Sequence, residues 1–87
     1  MKIVIDGYLK AVGEYPPRDG KAAVHWLRVG GMDDAKLLSS TPVSGTVGEY
    51  VRIVADGRYV YTGADRVPVY DCAQVQLQPV PQPVKAS

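Results

Sequence analysis

Turn signals interrupt this chain roughly every eight to twelve residues, and no segment between them carries helical periodicity. Pro16-Pro17 with Asp19-Gly20, Gly30-Gly31 with Asp33-Asp34, the stretch Thr41 to Gly48, and Asp56-Gly57 all punctuate it. The segments between are rich in β-branched and aromatic residues, as strands are. Residues 2–12 (KIVIDGYLKAV) read as a first strand, with Gly7 marking a bulge or a sharp bend. Residues 21–29 return as its hairpin partner, and 35–40 read as a short strand, with a single helical turn as the lesser alternative. Residues 49–57 are the clearest strand, ending at the turn dipeptide Asp56-Gly57. Residues 58–66 continue as a strand into a further turn, and 67–77 form the last strand, with Pro68 at its entrance or at an edge. This succession predicts an all-β chain: a small five-stranded OB-fold-like or SH3-like barrel. Residues 1–78 make that domain, and the Pro-rich residues 79–87 make an extended, flexible tail.

With 87 residues the chain has room for one core only. A barrel this small gains apolar burial by pairing with itself, so a homodimer is expected. Net charge is +1, so any cationic binding surface has to be local. The single Cys rules out an intrachain disulfide and a multi-thiolate zinc site, and a single His adds no ligand cluster. Residues 1–10 are too short and polar for a secretory h-region, and no apolar run approaches a membrane span. A soluble cytoplasmic protein is the expectation, without a cofactor, a metal or a small-molecule substrate.

Catalytic patterns are thin. His25 and Cys72 are a conceivable base and nucleophile, yet nothing in the sequence joins them, and a strand His and a buried thiol account for both. Asp33-Asp34 reads as a solvated turn. The phosphate-binding glycine patterns are absent. No enzymatic activity is expected.

Binding chemistry is more concentrated. Between residues 10 and 28, Lys10, Arg18, Lys21 and Arg28 stand against Glu14 and Asp19, interleaved with Tyr15, His25 and Trp26. Cations follow a phosphate backbone and flat side chains stack on bases, so such a hairpin suits a single nucleic acid strand. Trp26 alternates with Val24, so the pattern leaves open whether it fills the core or faces a ligand. Tyr15, beside Pro16-Pro17, reads as exposed. A second concentration, residues 55–66, holds Arg58, Tyr59, Tyr61 and Arg66. Regular strand alternation puts Tyr59 and Tyr61 on one face and Arg58 on the other. That pattern serves cross-strand packing, a dimer contact or a binding groove equally well.

Three short matches bring in a family. Arg18-Asp19-Gly20-Lys21 is similar to the Arg-x-Gly-Lys turn of the DNA-binding wing in filamentous-phage single-stranded-DNA-binding proteins of the gene V type. Gly48-Glu49-Tyr50 resembles that family's Gly-x-Tyr strand entry, and Val75-Gln76-Leu77-Gln78-Pro79 resembles its closing strand. The resemblance spans about residues 2–80. It implies a dimeric OB-fold that coats replicating phage DNA in the bacterial cytoplasm. The family has an aromatic residue two positions after the wing Lys, where this chain has Ala23, so stacking passes to Tyr15, His25 or Trp26.

The expected function is therefore sequence-tolerant binding of single-stranded DNA, in phage or mobile-element replication, with RNA as the other strand chemistry. The assigned nucleic-acid-binding residues are Lys10, Tyr15, Arg18, Lys21, His25, Trp26, Arg28, Arg58, Tyr59 and Tyr61. The alternative is a β-barrel protein-interaction module, a phage-encoded adaptor or inhibitor of a host protein. Near-zero net charge favours that alternative, and the hairpin favours the first reading.

Overall fold

The computed structural model describes residues 1–79. Its strands are β1 (Lys2–Tyr15), β2 (Val24–Gly30), β3 (Ala35–Ser39), β4 (Tyr50–Thr62) and β5 (Pro68–Pro79). They close into a barrel in the order β1-β2-β3-β5-β4. Every neighbouring pair is antiparallel except β3 and β5, which run parallel. This is the all-β, five-stranded OB-like architecture that the turn spacing predicts. Among the described residues no helix is long and apolar enough to cross a membrane.

Closure depends on β1 serving two partners. Its first half, Lys2 to Tyr8, pairs with β4, and its second half, Tyr8 to Tyr15, pairs with β2. A strand that changes partner must bend, and a register shift at Lys10 supplies the extra residue that lets it do so. The bulge expected at Gly7 is therefore three positions further on. Gly7 itself keeps regular pairing with Val51. Its missing side chain admits the loop after β2, since a Cβ there would lie 3.1 Å from the Gly30 carbonyl and 3.2 Å from that of Asp33.

The interior follows strand alternation. Ile3, Ile5 and Leu9 of β1, Leu27 and Val29 of β2, Ala35 and Leu37 of β3, Val51 and Ile53 of β4, and Cys72 of β5 form one buried cluster. Each fully buried aliphatic side chain of this kind contributes ~1.5–3 kcal/mol relative to exposure. The loop between β3 and β4 seals one end of the barrel. Val43 packs on the core from it, and the Gly48 N–H donates to the Leu9 carbonyl at 2.8 Å. Gly45 passes so close that a Cβ would meet Leu9 Cδ2 at 2.7 Å and Leu77 Cδ2 at 2.9 Å.

Asp56-Gly57, expected as a turn, lies inside β4. The strand runs on to Thr62, and Gly57 sits where β5 bulges around Ala73. A Cβ on Gly57 would come within 2.7 Å of the Asp71 carbonyl and 2.8 Å of the Cys72 thiol, so close approach, not reversal, explains this glycine. Pro79, assigned to the tail, ends β5 opposite Val51, and the rest of that segment, 80–87, lies outside the described residues.

Candidate nucleic-acid interface

The hairpin joining β1 and β2 projects past the barrel. At its tip Asp19 and Gly20 both have positive φ, at 53° and 74°, and the Lys21 N–H donates to the Arg18 carbonyl at 2.9 Å. Two consecutive left-handed residues define a tight type I′ reversal, which Asp-Gly adopts readily. Arg18 and Lys21 therefore face each other as bridge partners beyond the strands. With Tyr15, Pro16, Ala22 and Val24 they line a shallow groove.

Below the tip, the alternation of β2 points Leu27 and Val29 inward and Trp26 and Arg28 outward. Trp26 pairs with Gly13 on one side and Leu38 on the other, so it belongs to the outer surface of the sheet. Its indole lies across Gly13, where a Cβ would come within 2.4 Å of the ring. Trp26 is thus not a core residue. Tyr15 flanks it, with ring centres 6.3 Å apart and planes tilted by 33°. On β3, Lys36 also points outward, beside Arg28. Its ammonium donates to the Tyr15 hydroxyl at 2.7 Å and stands 4.9 Å from the Trp26 ring centre.

The distal ends of β4 and β5 form an arm that leans over this surface. Between them and β2–β3 lies a cleft of about 270 Å³, lined by Trp26, Arg28, Lys36, Tyr61, Val67 and Val69 among others. Val67 and Val69 are 6% and 4% exposed, yet they stand apart from the barrel core. Val69 pairs with the outward-facing Lys36, so the two valines are a small apolar floor on the outside of the sheet. The arm's tip turns at Gly63–Arg66, where the Arg66 N–H donates to the Gly63 carbonyl at 2.9 Å and Arg66 takes φ 64°. Asp65 anchors it in two ways. Its Oδ1 accepts the Val67 N–H at 3.2 Å, and its Oδ2 lies 3.4 Å from the Arg28 guanidinium.

The expectation that Tyr59 and Tyr61 share a face fails. Tyr59 pairs with Tyr70 and Tyr61 with Val69, because Val60 is an extra residue in β4. One added residue reverses side-chain direction beyond it. Tyr61 therefore borders the cleft. Tyr59 packs against Tyr70 on the opposite side, with centres 6.0 Å apart, and its hydroxyl shares a 2.6 Å hydrogen bond with Thr62. Arg58 returns to the Tyr61 side, paired with Asp71 at 3.8 Å.

Of the residues assigned from sequence, Trp26, Arg28 and Tyr61 line one cleft. Tyr15 lies beside Trp26, and with Arg18 and Lys21 it lines the groove at the hairpin tip. Lys10 lines a neighbouring groove with Ala11 and Arg28, its bulge turning it to the outside. His25 does not join them. It occupies the other face of the hairpin from Trp26, and its Nε2 lies 3.9 Å from Glu14. Sequence reasoning missed Lys36, Asp65, Val67 and Val69. Lys36 was within reach: AKLLS is a strand, and period-2 alternation sets Lys36 and Leu38 opposite Ala35, Leu37 and Ser39.

His25 and Cys72 lie in one cross-strand row with Ser39 between them. Two strand spacings separate them by about 10 Å, too far for direct proton transfer. Burial, aided by Asp71 and Asp56, pushes the Cys72 thiol up to about 11. Among the described residues no group of three or more His, Cys, Asp or Glu side chains converges as a metal site would require. Compared with known proteins, the chain matches no family model, no curated protein and no solved structure.

Proposed function

We propose that this barrel binds single-stranded nucleic acid, DNA foremost, without regard to base sequence. One observation carries the reading: Trp26 and Lys36 line a cleft whose far wall is Tyr61, and a second flat side chain, Tyr15, lies beside Trp26 and bonds the Lys36 ammonium. Stacking accepts any base, and each stacked base is worth ~1–3 kcal/mol. Arg18 and Lys21 extend the surface for phosphates at the hairpin tip, and among the described residues neither forms an ion pair. The resemblance to filamentous-phage single-stranded-DNA-binding proteins supports the same reading and adds a homodimer that coats replicating DNA.

Titration with oligo-dT, followed by Trp26 fluorescence at about 50 and then about 300 mM salt, tests it. Quenching at low salt that fades at high salt supports strand binding through phosphate neutralisation. Unchanged fluorescence and anisotropy at low salt overturn it and leave the protein-interaction module. Sedimentation of the free protein tests the dimer separately.

A further inference from the structure

Lys36 occupies the platform that the proposed function needs. Its ammonium is hydrogen-bonded to the Tyr15 hydroxyl at 2.7 Å and lies 4.9 Å from the Trp26 ring centre. The 5.2 Å separation from the Tyr15 ring centre follows from that bond to a hydroxyl on the ring's rim, so the π-face it covers is the indole's. Among the described residues no carboxylate pairs with Lys36. One cation therefore holds Trp26 by the weakly attractive electron density of its ring and Tyr15 by a single hydroxyl.

The consequence depends on what approaches. A cation over an indole face is held by the ring quadrupole. A neutral flat molecule that stacks on this face must push the ammonium aside and offers nothing in exchange. A flat molecule carrying a phosphate offers an ion pair, and the lysine stem is flexible enough to swing from ring to phosphate. We propose that Lys36 is a displaceable cap that makes the Tyr15–Trp26 platform selective for flat groups bearing a phosphate over neutral aromatic molecules of the same shape. The idea rests on the nucleic-acid reading of this face and names the residue that joins phosphate neutralisation to stacking.

Trp26 is the only tryptophan, so its indole N–H is one NMR signal. Wild-type protein and Lys36→Met, which keeps an unbranched stem beside Val69, are titrated with thymidine and with thymidine 5′-monophosphate. The wild type should prefer the monophosphate by about tenfold. In Lys36→Met, thymidine binding should tighten about threefold and the preference should shrink to about twofold or less. Lys36→Arg should keep the preference. A Lys36→Met protein that retains the full preference, or that loses both ligands equally, overturns the cap. A second measurement needs no nucleotide: collisional quenching of Trp26 by neutral acrylamide should rise in Lys36→Met, and unchanged quenching also overturns it. The two ideas fail separately. Wild-type protein that ignores oligo-dT but shows more quenching and tighter thymidine binding in Lys36→Met loses the function and keeps the cap. Normal oligo-dT binding with unchanged quenching keeps the function and loses the cap.

Discussion

The barrel has two outer faces built from the same strand chemistry, and they treat charge differently. On the β1–β4–β5 face three rows cross the sheet: Lys2–Asp56–Gln74, Val4–Val54–Gln76 and Asp6–Arg52–Gln78. Charge there is matched within the face. Arg52 grips Asp6 with two hydrogen bonds of 2.8 and 3.0 Å, and the N-terminal ammonium meets Asp56 at 3.0 Å. The Arg52 guanidinium lowers the Asp6 carboxyl below its ordinary value, and Asp6 raises Arg52 in return. Asp6 and Asp33 also exchange hydrogen bonds at 3.1 Å, pinning the loop after β2 to the same network. On the β2–β3–β5 face, Lys36 leans on the Trp26 ring, Arg28 and Arg58 meet their carboxylates only at 3.4 and 3.8 Å, and the hairpin-tip cations have no ion pair among the described residues. Paired ions resist a new partner, and loosely held ones accept it. That contrast sets a face of matched charge apart from the face we propose for binding, in a chain whose net charge is only +1.

The contrast is open to breakage at both faces. Trp26→Ala should lower oligo-dT affinity by ~10–100-fold, the range expected for losing one stacked base, whereas Val54→Ala should leave it unchanged. A comparable loss at Val54 would assign binding to the wrong face. Arg18→Ala combined with Lys21→Ala should weaken binding about tenfold at low salt and flatten the log affinity–log salt slope by ~0.7 for each phosphate left without its cation. An unchanged slope removes the hairpin tip from the interface. Gly13→Ala forces a methyl group into the space of the indole and should cost about fivefold in affinity while the barrel stays folded, as read by binding isotherms beside circular dichroism. The smallest effect belongs to the paired face. The lowered Asp6 carboxyl adds stability that is present above the ordinary carboxylate pKa and disappears as pH falls through the folded-state value. Asp6→Asn should therefore flatten the acid limb of stability against pH, in urea unfolding midpoints, with oligo-dT affinity untouched. A change in affinity instead would tie the two faces together.

Much of the strand order was legible because turns are local chemistry. Asp19-Gly20 supplies two left-handed residues in succession, and the segments around it alternate as strands do. The same dipeptide chemistry misled at Asp56-Gly57, since a glycine serves equally where two backbones crowd. Tyr59 and Tyr61 illustrate a different limit. Their spacing of two is a face assignment only in a regular strand, and the extra residue Val60 is visible only in the pairing with β5. Nothing in the type of Val67 and Val69 tells the barrel core from its outer surface. Only the lean of the arm shows that they are buried outside the barrel, under a cleft.

Local sequence alone determined that this chain is all-β, that it reverses at Asp19-Gly20, and which hairpin carries cations and flat side chains together. Those properties are set by dihedral preference and period, which act within a few residues. Which face Trp26 takes, that Lys36 reaches both Trp26 and Tyr15, and that His25 is turned away to Glu14 were decided by tertiary structure. Register between strands fixes each of these, and register is set by bulges and by the closing of the barrel, neither of which has a signature in the residues it moves.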